Sequence, residues 1–293
     1  MTVFATGYRR LTFQPTSTWR RVLAVASSDL RAPFRTRLTT ILFLVCQLPT
    51  YGSLVLLFVW SGFWQLGSGR PPRLGIAGRG DPASAQFYLA SLTSPEAFLA
   101  TTTLVAFTVS RVVARDRANH ALEIVWTRGL TPIAWFGGKV LGAVFVLGIG
   151  SILAPLLLWL LAFTSSGDPE FLATTLPVVP LVILGAIVQT LVVAFLATAV
   201  SACVATPNAA SILWVVLVAG GSALARVTSR MTDWIELRAI SPWDAITRTT
   251  QAIAGATPRF EIPVAAAIVA VVALVVAAAF AVLRRIRLAE TVG

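Results

Sequence analysis

The sequence predicts an all-α polytopic membrane protein, organised as a single transmembrane domain over residues 1–293. Six long apolar stretches, about 38–64, 95–113, 140–163, 177–204, 209–225 and 262–283, contain Glu96 as their only acidic residue, and their basic residues fall at the ends. Each matches the roughly 20 apolar residues that carry a helix across a bilayer core. Only a helix or a closed barrel satisfies the backbone there. The chain is 57% hydrophobic and 12% charged, with mean hydropathy +0.82. Spans and their connections consume nearly all of it, which leaves no room for a soluble catalytic domain. Arginines also collect on alternate connections, as the positive-inside rule requires of a multi-pass protein.

Taken in order, the elements begin with an N-terminal interfacial helix over 17–37. Trp19, Val22, Leu23, Ala26, Leu30 and Phe34 recur at helical spacing, while Arg20, Arg31 and Arg35 fall off that stripe. Such a segment lies in the plane of the inner interface. The first apolar run, from Leu38, follows without a cleavage-site pattern and is read as a retained span. Residues 67–82, rich in Gly, Pro and Arg, read as exposed coil. Ser94-Pro95-Glu96 then supplies an N-cap, a first-turn proline and an acid at the positive helix end, so Glu96 is expected to be structural at the outer boundary.

A cytoplasmic loop over 114–139 joins the second and third spans. Leu122, Val125 and Trp126 form an apolar patch at i, i+3 and i+4, with Asp116, Glu123 and Arg128 around it. Gly129 ends that short helix, and Thr131-Pro132 caps a new one running into the third span. Lys139 is expected to anchor that span at the inner interface. Between the fifth and sixth spans, residues 228–261 carry a second cap-proline-acid signature at Ser241-Pro242-Trp243-Asp244. Short outer helices are expected there, lying on the membrane or dipping into it.

Six spans place both termini on one side. Arg9, Arg10, Arg20, Arg21, Arg31, Arg35 and Arg37, then Arg111, Arg115, Arg117, Arg128 and Lys139, then Arg284, Arg285 and Arg287 mark that side as cytoplasmic. Trp60, Trp64 and Trp159 fall at outer boundaries and Trp135 at an inner one, in agreement. The net charge of +11 sits beside apolar segments rather than on a soluble face, so its partner is anionic membrane lipid and not nucleic acid. Cys46 and Cys203 fall inside spans as plain buried thiols. His120 is the only histidine, which excludes a His-x-x-x-His metal pair, and there is neither a Gly-x-Ser-x-Gly elbow nor a phosphate-binding Gly-x-x-x-x-Gly-Lys-Ser/Thr loop. The chain is therefore not expected to be an enzyme. Ion-coupled pumps and proton relays carry buried charges, and these spans have almost none.

From Leu122 to Lys139 the chain resembles the loop of ABC-2 type permeases, the membrane subunits of ATP-binding cassette exporters. The likeness rests on Leu122, Glu123, Arg128, Leu130, Thr131, Trp135, Gly138 and Lys139, with Asp116 at the acidic position that precedes the motif. Gly129 replaces a common proline, and Pro132 stands where a basic residue is usual. The order of interfacial helix, six spans, loop after the second span and structured outer segment is similar too. The resemblance implies a cytoplasmic coupling helix in which Asp116, Leu122, Glu123, Val125, Trp126 and Arg128 meet a separate ATP-binding subunit. ATP and Mg would bind on that partner, and this chain would hold no cofactor. It also implies a second permease chain, as homodimer or heterodimer, with a pathway between the two. Candidates for that interface are Gln47, Tyr51 and Ser53 in the first span and Asn208, Ser211, Gly220 and Gly221 in the fifth; Gln189, Thr190, Thr198 and Ser201 in the fourth are comparable. Each equally suits an ordinary interhelical contact. Arginine in place of lysine everywhere but at Lys139, with abundant alanine and valine, fits a high-GC bacterium, so the expected location is a bacterial inner membrane. A non-transporting membrane scaffold and an ion-coupled transporter are the competing expectations.

Overall fold

The computed structural model describes residues 17–31, 34, 36–65, 84–119, 130–166 and 169–291. All regular structure among them is helical. Five helical stretches are long and apolar enough to cross a membrane: Pro95–Ala118, Pro132–Thr164, Val178–Cys203, Pro207–Thr232 and Val264–Arg285. The expected first span is also helical, as α2 (Arg37–Gln65), but only its Arg37–Pro49 portion appears among the apolar helices, as a short one. The third and fifth spans are longer than the apolar runs alone indicated: both start at a Thr-Pro cap outside the run, and the fifth also continues past it to Thr232.

Ahead of α2 lies α1 (Thr18–Leu30), whose first turn is capped by Ser17 Oγ accepting from Arg20 N–H at 3.5 Å. The second span is assembled from α3 (Ala85–Thr93), a cap at Ser94, α4 (Pro95–Phe107), a 3-10 turn (Val109–Arg111) and α5 (Val112–Ala118). Ser94 Oγ accepts from Ala97 N–H at 3.2 Å, as its sequence predicted. α3 lies beyond the apolar run read from the sequence, and every one of its residues except Gln86 is buried. The third span is α6 (Pro132–Ser151) and α7 (Leu153–Ser166), interrupted at Ile152; Thr131 caps it by accepting from Ala134 N–H at 3.3 Å. A short α8 (Pro169–Thr175) leads to the fourth span, α9 (Val178–Cys203). The fifth comprises α10 (Pro207–Val215), a π-helical turn (Val216–Gly220) and α11 (Gly221–Thr232). Asp233 ends it in the left-handed region at φ 54°, where a short polar side chain is tolerated. A 3-10 turn (Ile235–Ile240), α12 (Pro242–Ile253) and the last span, α13 (Val264–Thr291), complete the chain.

α9 is the axis of the bundle. Val193, Ala194, Leu196 and Ala197 join Phe43 and Cys46 of α2, Leu104 and Val105 of α4, Ala143, Val146 and Leu147 of α6, Trp214 of α10 and Val271 of α13 in one apolar core. Trp214 Nε1 donates to Thr102 O at 3.2 Å, pinning the fifth span to the second. Outside this core, Ile268, Val269, Val272, Val276 and Phe280 of α13 are exposed, as side chains facing lipid would be.

Within 228–261, residues 230–236 are exposed, whereas α12 is packed into the bundle. α12 is buried except at Arg248, Ala252 and Ile253, which are half-buried: Trp243 and Ile246 belong to the central core, Asp244 and Gln251 have no exposed surface, and the helix packs against α9 and α13. Two glycines admit it. A Cβ on Gly185 of α9 would stand 3.1 Å from Thr250 O, and one on Gly221 3.1 Å from Pro242 Cδ. α12 is thus enclosed against α9 and α13 rather than presented on the surface of the bundle.

Candidate functional site

The densest polar chemistry gathers where the cytoplasmic ends are expected. It starts with α1, which lies along the first turns of α6. A Cβ on Gly138 would come within 2.9 Å of Val25 Cβ, and one on Gly142 within 2.8 Å of Asp29 Cβ. Glycines four apart let two backbones approach as closely as small-xxx-small pairs do in membranes. The seam buries Ala26 and Asp29, while Trp19, Leu23 and Phe34 stay exposed. The apolar stripe read from the sequence is therefore divided between helix packing and the open surface.

This close approach carries Asp29 onto Lys139. Lys139 Nζ sits 2.9 Å from Asp29 Oδ1 and 2.7 Å from Asp116 Oδ2, and is itself buried. One lysine thus joins the interfacial helix, the end of the second span and the start of the third. Its expected role as an interfacial anchor becomes that of a buried bridge between two acids. Burial pushes the Asp29 carboxyl above its ordinary range; Lys139 opposes that, Asp116 adds to it and Arg115 reduces it.

Around this bridge, arginines complete broken backbone. The fork of Arg117 donates to Val204 O and Ala202 O, both at 3.0 Å, and Arg285 Nη2 donates to Cys203 O at 2.9 Å. They satisfy the last carbonyls of α9, where positive charge is favoured. Ser201 Oγ in turn accepts the N–H groups of Val113 and Ala114 at 3.0 Å each, donors released by the 3-10 interruption. These roles escaped sequence reading, which took the arginines as topology signals only. The available clue was three arginines, Arg111, Arg115 and Arg117, within seven positions at the end of a span, more than orientation requires.

Of the six expected coupling residues, Asp116 is in this cluster; Leu122, Glu123, Val125, Trp126 and Arg128 lie outside the described residues. The flanks of their loop are held together by the Asp116–Lys139 pair. The expected interface residues separate into different settings. Gln47 is buried against Gly150 of α6, and Tyr51 OH donates to Ile149 O. The side chain of Ser53 is outside the described part. Asn208 Oδ1 accepts from Arg111 Nη2 at 3.0 Å, and Ser211 Oγ donates to Ala106 O at 2.6 Å. Gly220 is exposed, and Gly221 seats α12. In the fourth span, Thr198 back-bonds to Ala194 O at 2.6 Å, while Gln189 Nε2 donates to Leu92 O at 3.3 Å and Thr190 meets Ser151 Oγ at 2.5 Å.

Gln47, Ser151, Gln189 and Thr190 line one internal cavity of about 40 Å³ between α2, α3, α4, α6 and α9. A water needs about 10–15 Å³, so this neutral polar pocket has room for solvent but not for a sizeable cargo. No group of three or more metal-ligating side chains occurs among the described residues. The chain matches no protein-family model, no curated protein and no solved structure.

Proposed function

We propose that this chain is the membrane subunit of an ABC-2 type exporter, working with a second permease chain and driven by a separate ATP-binding subunit. The observation that carries the reading is the segment 116–139. Its sequence resembles the coupling loop of that family, and its two ends, Asp116 and Lys139, are tied to each other and to the interfacial helix. A force applied to the loop would therefore reach the second span, the third span and α1 together.

On this reading ATP and Mg belong to the partner, the chain performs no catalysis, and it resides in a bacterial inner membrane with both termini in the cytoplasm. The test is affinity purification from its native host. A co-purifying nucleotide-binding ATPase, lost in Trp126→Ala at unchanged membrane expression, is the expected outcome. A buried aromatic anchor at an interface is commonly worth about 2 kcal/mol or more. Retention of the same ATPase by a Trp126→Ala, Val125→Ala double variant would leave the loop without a coupling role. A protein that purifies without any ATPase would favour the scaffold, and flux without nucleotide the ion-coupled carrier.

A further inference from the structure

The enclosure of α12 leaves much of its polarity unanswered. Trp243 Nε1, both carboxylate oxygens of Asp244, Thr247 Oγ1, Thr250 Oγ1 and Gln251 Nε2 are buried without a hydrogen-bond partner among the described residues. Buried polar groups are ordinarily paired, so each of these works against the seated helix. The helix is also bounded as a unit of its own. Ser241 caps it after the 3-10 turn, accepting from Asp244 N–H at 3.2 Å, and Gly255 follows it in the left-handed region at φ 66°. Weakly held units of this kind are where local opening begins.

Asp244 is the one acid on this helix, and it has no exposed surface. Arg226, Arg238 and Arg259 act on it electrostatically, yet none forms an ion pair with it among the described residues. Two of the three are engaged elsewhere. The guanidinium of Arg238 lies 4.5 Å, and that of Arg259 5.1 Å, from the centre of the Phe260 ring. Arg259 also donates from Nη1 to Thr93 O, and from its backbone N–H to Gln251 Oε1 at 3.0 Å. One residue thus ties α12 to the second span, and the same residue is attracted to Asp244 once that acid is charged. Burial pushes the Asp244 carboxyl above its ordinary range; the three arginines and the nearby Ser241 hydroxyl oppose that. The other charges around α12 are Arg230 of α11, Glu236 of the 3-10 turn, Arg248 on α12 itself, Glu261 ahead of α13 and Glu96 at the start of α4, with Tyr88 as the titratable group of α3. α9 has no charged residue, and α13 has none before Arg284.

We propose that Asp244 is a pH-sensitive latch on α12: protonated, it lets the helix sit firmly in the bundle, and ionised, it draws Arg259 away from Thr93 and Phe260 and loosens the seat. A buried charge without a partner is disfavoured far more than a buried neutral acid, so the seated helix favours the proton. The sign follows from the direction of that preference. A carboxyl raised above its ordinary 3.8 supports the seated state below about that value, and the support is lost as pH rises through the raised one. The latch therefore works in the acid range. Because α9 and the facing part of α13 offer no titratable group to pass the proton on, it moves no charge across the bilayer. The inference goes beyond the exporter reading and needs neither a partner nor a cargo.

The experiment is hydrogen–deuterium exchange of the purified full chain in lipid nanodiscs, read on peptides within 242–253 and corrected for the intrinsic pH dependence of amide exchange. From about pH 4.5 to about pH 7.5, protection there should fall by about tenfold for each unit by which burial raises the carboxyl. Asp244→Asn should abolish the fall. Arg226→Gln removes an opposing charge whose side chain makes no hydrogen bond among the described residues, so the fall should move to higher pH. Arg230→Gln, one turn further along α11 and not among the groups acting on Asp244, should leave it in place. Protection independent of pH in the natural chain would overturn the proposal. So would a fall that persists in Asp244→Asn, or one that Arg226→Gln and Arg230→Gln affect alike. Thermal unfolding identifies any variant that does not fold; if Asp244→Asn is one, the comparison of Arg226→Gln with Arg230→Gln decides alone. No partner ATPase enters the assay, so its failure would leave the exporter reading untouched, and the converse holds.

Discussion

Lys139 shows what a single charge does when it is shared by two acids. Taking ions out of water costs several kcal/mol each, and the pair repays this only with close geometry. Here the contacts are 2.9 Å to Asp29 and 2.7 Å to Asp116. Lys139→Met would leave a buried carboxylate beside a second one without their common cation. The expected loss is about 3–5 kcal/mol, the usual cost of breaking a buried pair from one side, read as a lowered midpoint of thermal unfolding in detergent. Adding Asp29→Asn to Lys139→Met should restore part of it, because the uncompensated charge is then gone. The sign of the pH effect follows from burial, which raises the Asp29 carboxyl from its ordinary 3.8. A raised acid favours the folded state while it is protonated. The stability it contributes is present below about that ordinary value and is lost as pH rises through the raised one. Unfolding midpoints measured upward from pH 4 should therefore fall less steeply in Asp29→Asn than in the natural chain; equal slopes would remove Asp29 as their source.

Among the helices, two seatings depend on missing side chains, and adjacent glycines offer an internal control. A Cβ at Gly138 would collide with α1, whereas one at Gly137 would meet nothing within 4 Å. Gly138→Leu should cost about 1–3 kcal/mol, the range of overpacking, and should free α1 to proteolysis in membranes, while Gly137→Leu should do neither. Equal protease resistance in the two variants would show that α1 does not depend on this seam. The sequence disclosed these elements unevenly, for a physical reason. Caps are local, so Ser94, Thr131 and Ser241 each accept the N–H three residues on, as their Ser/Thr-Pro pairs predicted, and Thr206 does so unforeseen. Burial is not local. The sequence predicts at 241–253 only a short helix on the membrane or dipping into it, yet Asp244, Thr247 and Gln251 are all buried in the bundle. Its enclosure comes from residues far along the chain, such as Gly185 and Thr93, the latter through its carbonyl and Arg259. The inner cluster was equally hidden, since Asp29 and Lys139 lie 110 positions apart.

Across the whole molecule, charge is sorted by depth. In the five membrane-length helices Glu96, Arg111, Arg115, Asp116, Arg117, Lys139, Arg226, Arg230, Arg284 and Arg285 all lie towards an end, and α9 at the centre has no Asp, Glu, Lys, Arg or His at all. The polar groups lining the central cavity are neutral, Gln47, Ser151, Gln189 and Thr190, and the buried acid Asp244 sits on α12, outside these five helices. A membrane potential does work on a protein only when its cycle moves charge, at about 2.3 kcal/mol per elementary charge per 100 mV. Neutral amides and hydroxyls cannot collect that energy. Glu96, in the first turn of α4 behind the Ser94 cap, is placed to favour the positive end of that helix rather than to shuttle a proton. Export in reconstituted vesicles should accordingly require hydrolysable nucleotide and the partner ATPase, persist when an uncoupler collapses the proton gradient, and survive Glu96→Gln with most of its rate. Transport that ran without the ATPase, stopped with the uncoupler and vanished in Glu96→Gln would replace the exporter reading with an ion-coupled carrier.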